Sequence, residues 1–276
     1  MTETSVKASA LEGASGSAYG TLCRLVRGPN VLRLGSILTT LLVWEWYGRG
    51  VDPIFISYPS AIFSAVPVII ARGELQAAVF TSVKELVVGL GLAIACGTTF
   101  GLLTGRYRTL NYLTDLQVSA LYATPNIALV PLLILWFGLG FEAKVAIIFL
   151  AAFFPIIVNT HSGVRNIGQG LIDIALVEGA REYQIVTKIL VPAAFPFIMT
   201  GIRLAMGRAI VGMVVAEMFT ATEGLGAAIL TYGNAFATDK LFVVIIVLAV
   251  MGVALTETVS LLERMLATWK ETERAR

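Results

Sequence analysis

Charged residues are scarce in this chain. Only 14% of its 276 residues are Asp, Glu, Lys or Arg, whereas 57% are hydrophobic. A typical soluble domain carries about a quarter of charged residues. So low a charge content excludes an ordinary soluble protein and indicates an integral membrane protein with several apolar spans of roughly 20 residues each.

Residues that build catalytic and metal sites are also few. The chain has one histidine, His161, and two cysteines, Cys23 and Cys96. A single histidine argues against a histidine-based metal site, and this pair of cysteines does not indicate a structural disulfide. The sequence contains neither a Ser-His-Asp set nor a GxxxxGK[ST] phosphate-binding loop. We therefore predict a protein that is not an enzyme, needs no cofactor or metal, and binds no nucleic acid.

Apolar runs predict six membrane spans. Their ranges are 34–47, 82–104, 116–139, 145–164, 193–220 and 241–262. Most lysines and arginines fall on one side of this arrangement, which places both termini in the cytoplasm. Residues 1–30 are predicted to form a disordered cytoplasmic tail. Residues 58–70 are predicted to form a short interfacial helix, and Gly224 and Gly226 to precede a half-helix.

The third predicted span contains polar and helix-breaking residues. Pro125 and Pro131 interrupt the backbone hydrogen bonds at membrane depth, and Asn126 lies between them. Such residues should face other helices or a pathway, because lipid cannot satisfy a free carbonyl. Asn126 is either a pathway residue or a hydrogen-bonding partner of a neighbouring helix.

The fifth predicted span carries three charges, Arg203, Arg208 and Glu217. Their spacing places no two of them as ideal partners on one helix face, so we expect their counter-charges on other helices. Structural pairing suits Arg203, whereas Arg208 and Glu217 are candidate pathway residues. The candidate counter-charges are Glu85, Asp115 and Glu257.

A polar stretch lies between the fourth and fifth spans. Ile172, Ala175, Leu176 and Gly179 fall at helical spacing, and charged residues alternate with them: Asp173, Glu178, Arg181 and Glu182. The pattern predicts a short amphipathic cytoplasmic helix that presses against a soluble partner. The alternative is a solvated surface loop.

The segment VEGAREY…KILVPAAFPFIMTGIRLAMGRA resembles the "EAA" signature of permease subunits of bacterial ABC importers. The resemblance extends over about residues 59–262, through PNIALVPLLILWFGLG, FFPIIVNTHSGVRN and VVAEMFTATEGLG, and is similar to the nitrate, sulfonate, taurine and pyrimidine-precursor branch. It implies an all-α membrane protein of type I importer fold, with a permease domain over 31–276 and a cytoplasmic coupling helix at about 170–184. The residues implied to couple to the ATPase are Asp173, Glu178, Gly179, Ala180, Arg181 and Glu182.

The resemblance also implies partners and a location. These are a cytoplasmic ABC ATPase subunit, a periplasmic or lipid-anchored solute-binding protein, and a second permease copy, all at the bacterial inner membrane. The implied function is to form the pathway for a small polar or anionic solute. The alternatives are an ion-gradient-driven secondary transporter, with Arg208 and Glu217 as relay groups, and a membrane enzyme.

One departure from the signature concerns a glycine. With Glu178, Gly179 and Ala180 placed on Glu-Ala-Ala, the later turn glycine is replaced by Gln184, and the connection to Pro192 is about five residues short. We predict that the turn is rebuilt around Tyr183 and Gln184.

Overall fold

The computed structural model describes residues 29–266, all of whose regular structure is helical. Residues 1–28 of the predicted tail therefore lie outside the described residues. The helices are α1 Pro29–Arg49, α2 Pro59–Ala71, α3 Glu74–Arg106, α4 Arg108–Ala123, a 3₁₀ turn Asn126–Leu129, α5 Val130–Phe137, α6 Phe141–Arg165, α7 Gln169–Val177, α8 Glu182–Ile185, a π turn Val186–Leu190, α9 Val191–Thr220, α10 Leu225–Asn234 and α11 Thr238–Leu266.

The centre of the fold is a parallel pair, α3 and α6. Cβ atoms built on the α3 glycines would meet α6 side chains 59 residues further along the chain: Gly89 meets Ile148, Gly97 meets Ile156, Gly101 meets Thr160 and Gly105 meets Val164. The ion pair between Glu85 and Lys144 has the same separation of 59 residues. This constant offset shows that the two helices run in the same direction, with the glycines allowing close approach.

Helix α9 packs against α6 in the opposite direction. Gly201 of α9 meets Asn159, whereas Gly212, further along α9, meets Ala151, which is earlier on α6. Helix α11 runs antiparallel to α9 in turn, because Arg203 pairs with Glu263 while the later Ile210 contacts Gly252. The apolar residues of α3, α6 and α9 form the main buried cluster.

The segment between α3 and α6 consists of two helices, α4 and α5, that pack along α6. The Tyr122 ring lies 6.5 Å from that of Phe154, and Val130 packs with Ile147, so the segment runs antiparallel to α6. The predicted single span 116–139 is wrong in its bounds, because α4 begins at Arg108 and the segment bends by 93° after Ala123.

Proline chemistry explains the bend. Pro125 disfavours the helical conformation in the residue before it, and Thr124 is extended, with ψ of 133°. The second proline, Pro131, lies in the first turn of α5, where a helix needs no backbone donor. Only Pro125 therefore breaks the segment.

Four helical stretches are long and apolar enough to cross a membrane, and the bent α4–α5 pair makes up to five within residues 29–266. They are Glu74–Arg106, Phe141–Arg165, Glu182–Thr220 and Thr238–Met265. Helix α1, the first predicted span, has 21 residues but is not among them. Its charges and hydroxyl groups, including Arg33, Ser36, Thr39 and Glu45, dilute its apolar character.

Two predicted boundaries are wrong. The fifth span does not begin at residue 193, because helix continues from Glu182 to Thr220 over 39 residues. The π turn Val186–Leu190 directly precedes Pro192 and accommodates its missing donor without ending the helix. The fourth span likewise does not begin at residue 145, because α6 begins at Phe141.

Two short helices lie at the end of the bundle opposite to α7. Helix α2 matches the predicted interfacial helix, and α10 follows a turn at Gly224, as predicted. The end of α1 joins them there, because the Trp44 indole donates to the Ser57 carbonyl at 2.9 Å and its ring lies 5.5 Å from that of Phe242.

Candidate functional site

Helix α7 ends in a glycine turn. Gly179 has φ of +80°, its N–H donates to the Leu176 carbonyl at 3.0 Å, and the Ala180 N–H donates to the Ala175 carbonyl at 2.9 Å. These are the two hydrogen bonds of a Schellman motif with glycine at C′. The prediction of a turn rebuilt around Tyr183 and Gln184 is therefore wrong, since a glycine with positive φ makes the turn five residues earlier.

Gln184 caps the N-terminus of α8. Its side-chain oxygen accepts a hydrogen bond from the Arg181 N–H at 2.8 Å, in the first turn of α8. Such a bond satisfies a donor that a helix N-terminus leaves free. The predicted coupling helix 170–184 is thus two helices with a turn between them, and Glu178, Gly179 and Ala180 belong to the turn.

Helix α7 exposes most of its apolar residues. Ile172 is buried in the main cluster, whereas Leu171, Ile174 and Val177, spaced by three along one face, are 52%, 64% and 86% exposed. Asp173 and Glu178 are exposed beside them. An apolar patch with a polar rim outside the spans is typical of a protein interaction site.

Helix α8, which leads through the π turn into α9, is fixed to α3 next to this patch. Arg106 donates to both oxygens of Glu182, at 2.8 and 3.1 Å, and the Tyr107 hydroxyl donates to the same carboxylate at 3.2 Å. Burial and the neighbouring Glu182 carboxylate raise the pKa of Tyr107, so this hydroxyl keeps its proton. Of the predicted coupling residues, Glu182 therefore has partners within the chain.

Arg208 lies near the middle of α9, on an exposed face. Its guanidinium carbon lies 4.9 Å from the centre of the Tyr122 ring, and it donates to the Tyr122 hydroxyl at 3.3 Å. A charge at this depth in a membrane costs on the order of 2.5–3.5 kcal/mol on insertion scales. Neither Glu85, Asp115 nor Glu257 pairs with it or with Arg203; Arg203 pairs instead with Glu263.

The structure brings Arg208, Pro125 and Asn126 together. All three line a cavity of about 350 Å³ whose other walls are mostly apolar. The Asn126 Oδ1 atom is buried and has no hydrogen-bond partner within residues 29–266. Pro131 and Glu217, the remaining candidate pathway residues, do not line this cavity.

Glu217 is fully buried and attached to α10. It accepts a hydrogen bond from the Ser82 hydroxyl at 2.5 Å and another from the Gly226 N–H at 2.6 Å. The Leu225 N–H donates to the Ser82 oxygen at 2.9 Å. The carboxylate and the hydroxyl together satisfy two free backbone donors at the N-terminus of α10, and the Glu217 carboxylate occupies the space that a Cβ atom on Gly224 would need.

Sequence reasoning missed a buried ion pair beside Glu217. Lys144 Nζ lies 2.9 Å from Glu85 Oε1, and both side chains are 1% exposed. Lys144 also donates to the Glu223 carbonyl at 3.3 Å. A lysine at the start of an apolar run usually lies at the membrane interface. The burial of Lys144 becomes evident only from its pairing with Glu85, which is 59 residues earlier in the sequence.

The fold is that of the membrane-spanning subunits of ABC transporters. A chain of the MetNI methionine ABC transporter in an inward-facing conformation superposes with a TM-score of 0.59 at 20% identity, covering 70% of this chain and 96% of that one. A chain of an amino acid ABC transporter superposes with a TM-score of 0.56 at 13% identity, covering 72% and 97%.

Sequence comparison gives the family. Residues 97–268 match the family described as "Binding-protein-dependent transport system inner membrane component", and the chain belongs to it. A Bacillus subtilis protein named as an aliphatic sulfonates transport permease is 33% identical over 86% of this chain and 87% of its own length. The taurine transport system permease protein of Escherichia coli is 28% identical over 86% and 89%.

These comparisons confirm the resemblance found in the sequence. The chain is a multi-pass membrane protein and the permease subunit of an ABC importer. They support this function and not the ion-gradient-driven alternative.

Proposed function

We propose that this permease forms the pathway for a small organic anion that a solute-binding protein delivers. An ATPase subunit that binds α7 drives the transport. The contact with the ATPase subunit is supported by the exposed apolar face of α7, which is formed by Leu171, Ile174 and Val177. The anionic solute is supported by Arg208 and by the relatives that are named for taurine and aliphatic sulfonates.

The glycine turn favours a new reading of the signature. Placing Gly179, which has φ of +80°, on the signature glycine moves the Glu-Ala-Ala position five residues earlier, to Asp173, Ile174 and Ala175. The connection to Pro192 is then no longer short. We therefore assign coupling to α7 with Asp173 and Ile174, and assign to Glu182 the task of holding α8 on α3.

Helix directions support six crossings. Because α3 and α6 are parallel, the bent α4–α5 segment must cross back between them, so it is one broken span. The end of α1 lies near the start of α11, at the end of the bundle away from α7. With α1 as a sixth span, the start of α1 and the end of α11 both lie on the α7 side, which the positive-inside pattern places in the cytoplasm.

The remaining partner is a second copy of this chain. Many apolar side chains on α1, α4 and α5 are exposed in the single chain, among them Leu116 and Leu135, each 78% exposed. Lipid and a second permease would cover them together. A pair would offer one α7 to each of two ATPase subunits.

Cross-linking tests the contact of α7. In a C23S/C96S background, Val177→Cys is expected to cross-link to the co-expressed ATPase subunit, because its side chain is 86% exposed on α7. Ile174→Glu should lower ATP hydrolysis stimulated by the binding protein about tenfold, as expected for a central interface residue.

The matched control is Phe236→Cys, which is 66% exposed just after α10, at the opposite end of the bundle. It should form no cross-link to the ATPase. Equal cross-linking at both positions, or full stimulation in the Ile174→Glu variant, would show that α7 is not the coupling surface.

A further inference from the structure

Arg208 lacks the kind of carboxylate partner that three other helix cations have within the described residues. Lys144 is neutralised by Glu85 at 2.9 Å, Arg203 by Glu263 at 2.5 Å and Arg106 by Glu182 at 2.8 Å. Within residues 29–266 no carboxylate lies within 4 Å of Arg208, whose polar contact is the Tyr122 hydroxyl. One neutral hydroxyl uses one of the five donors of a guanidinium, so most of its hydrogen-bonding capacity remains open.

Tyr122 holds this cation without neutralising it. The aromatic face attracts the guanidinium, and the Tyr122 hydroxyl accepts one hydrogen bond from it. Tyr122 itself is supported by packing against Phe154, with 6.5 Å between the ring centres. The arginine is therefore positioned at membrane depth while its positive charge remains available.

The cavity next to Arg208 is lined by residues of two kinds. Arg208 and Asn126 supply polar groups. Val130, Ile147, Ala151, Val211 and Val215 supply an apolar wall. Its volume of about 350 Å³ lies at the small end of the range for ligand pockets.

We propose that this cavity is a solute subsite in which Arg208 binds the anionic head group and the apolar wall receives an aliphatic body. The inference rests on the proposed function and specifies its solute as a small aliphatic anion. A guanidinium pairs with planar or tetrahedral oxyanions through parallel hydrogen bonds, so both carboxylates and sulfonates fit the chemistry. A hydrophilic cation would find no carboxylate counter-charge among the residues that line this cavity and would be repelled by Arg208.

Charged thiol reagents test the charge of the cavity without knowledge of the solute. In the C23S/C96S background, Val211→Cys places a thiol on the cavity wall. A positive site raises the local concentration of anions, so sulfonatoethyl methanethiosulfonate should react about tenfold faster than its trimethylammonium analogue, after correction for the reactivity of the reagents with a free thiol.

The charge variants identify the source of that preference. Adding Arg208→Gln should abolish the anion preference, and Arg208→Lys should restore part of it. Adding Arg203→Gln, which removes a charge on the same helix that is already paired with Glu263, should leave the preference intact. An unreactive thiol at position 211, or a preference unaffected by Arg208→Gln, would overturn the proposal.

Transport distinguishes the solute subsite from the proposed function as a whole. Permease, ATPase and binding protein are reconstituted in liposomes, and uptake of radiolabelled butanesulfonate and pentanoate is measured beside ATP hydrolysis stimulated by the binding protein. Arg208→Gln should slow uptake of the transported anion at least about tenfold while stimulated hydrolysis is retained. The two probes show which head group is accepted.

Each other outcome has a distinct meaning. Wild-type protein without stimulated hydrolysis would contradict the proposed function. Stimulated hydrolysis with uptake of neither probe, or equal uptake by wild type and the Arg208→Gln variant, would overturn the subsite alone. Loss of assembly in that variant, seen by size-exclusion chromatography, would assign Arg208 a structural role and would also overturn it.

Discussion

Replacing Lys144 with methionine is expected to destabilise the folded permease by about 3–5 kcal/mol. Lys144 is the buried cation of the described residues, and its partner Glu85, 2.9 Å away, is equally buried. Removing one member of such a pair leaves the other charge in a low-dielectric interior without compensation. The midpoint of heat-induced loss of monodisperse protein in detergent should fall by more than about 5 °C.

Lys84, which directly precedes Glu85 in the sequence, provides the control. Lys84 is exposed and lies over the Phe141 ring, so Lys84→Met should change the midpoint little. Replacing both partners, as in E85L/K144M, should recover most of the loss, because a buried pair can often be exchanged for apolar residues at little cost. A Lys144→Met midpoint equal to that of Lys84→Met would contradict the role assigned to the pair.

The sequence predicts the kind and the approximate positions of the long helices better than their partners. Apolar runs locate the long helices, and Gly224 before an apolar stretch predicts α10. The glycines at 97, 101 and 105 predict close helix contact, but nothing in them identifies α6 as the partner. Helix partners depend on pairings 59 residues apart, and the sequence alone does not specify that separation.

The coupling region shows a different kind of error. Gly179 continues the apolar spacing from Ile172, and that spacing predicts a helix that includes it. A glycine just after the last periodic residue is equally typical of a helix end, and its φ of +80° decides for the end. This local signal is present in the sequence and indicates the correct position of the turn.

The candidate pathway residues separate for a physical reason that the sequence does not contain. Arg208 and Glu217 are both charges in one predicted span, and both suggest function at membrane depth. In the fold, Glu217 has its oxygens occupied by Ser82 and Gly226, whereas Tyr122 is the one polar partner of Arg208 among the described residues. The distinction depends on groups from other helices.

Replacing Gly101 with leucine is expected to separate α3 from α6 and to destabilise the protein by about 1–3 kcal/mol. A Cβ atom at this position would lie 2.6 Å from the Thr160 Cβ and 3.0 Å from the Ile157 carbonyl oxygen. Neither atom is the end of a flexible side chain, so the helices must move apart. The same thermal midpoint in detergent measures the loss.

Gly91 of the same helix supplies the matched control. A Cβ atom there would meet nothing within 4 Å, and leucine favours a helix over glycine by several tenths of a kcal/mol, so Gly91→Leu should be neutral or slightly stabilising. The contrast also decides what the glycines of α3 do. If they form a static packing contact between α3 and α6, Gly101→Leu should lower the thermal midpoint. If they form a pivot between moving helices, Gly101→Leu should have the same midpoint as Gly91→Leu and should differ from it only in transport. That second result would contradict a static contact.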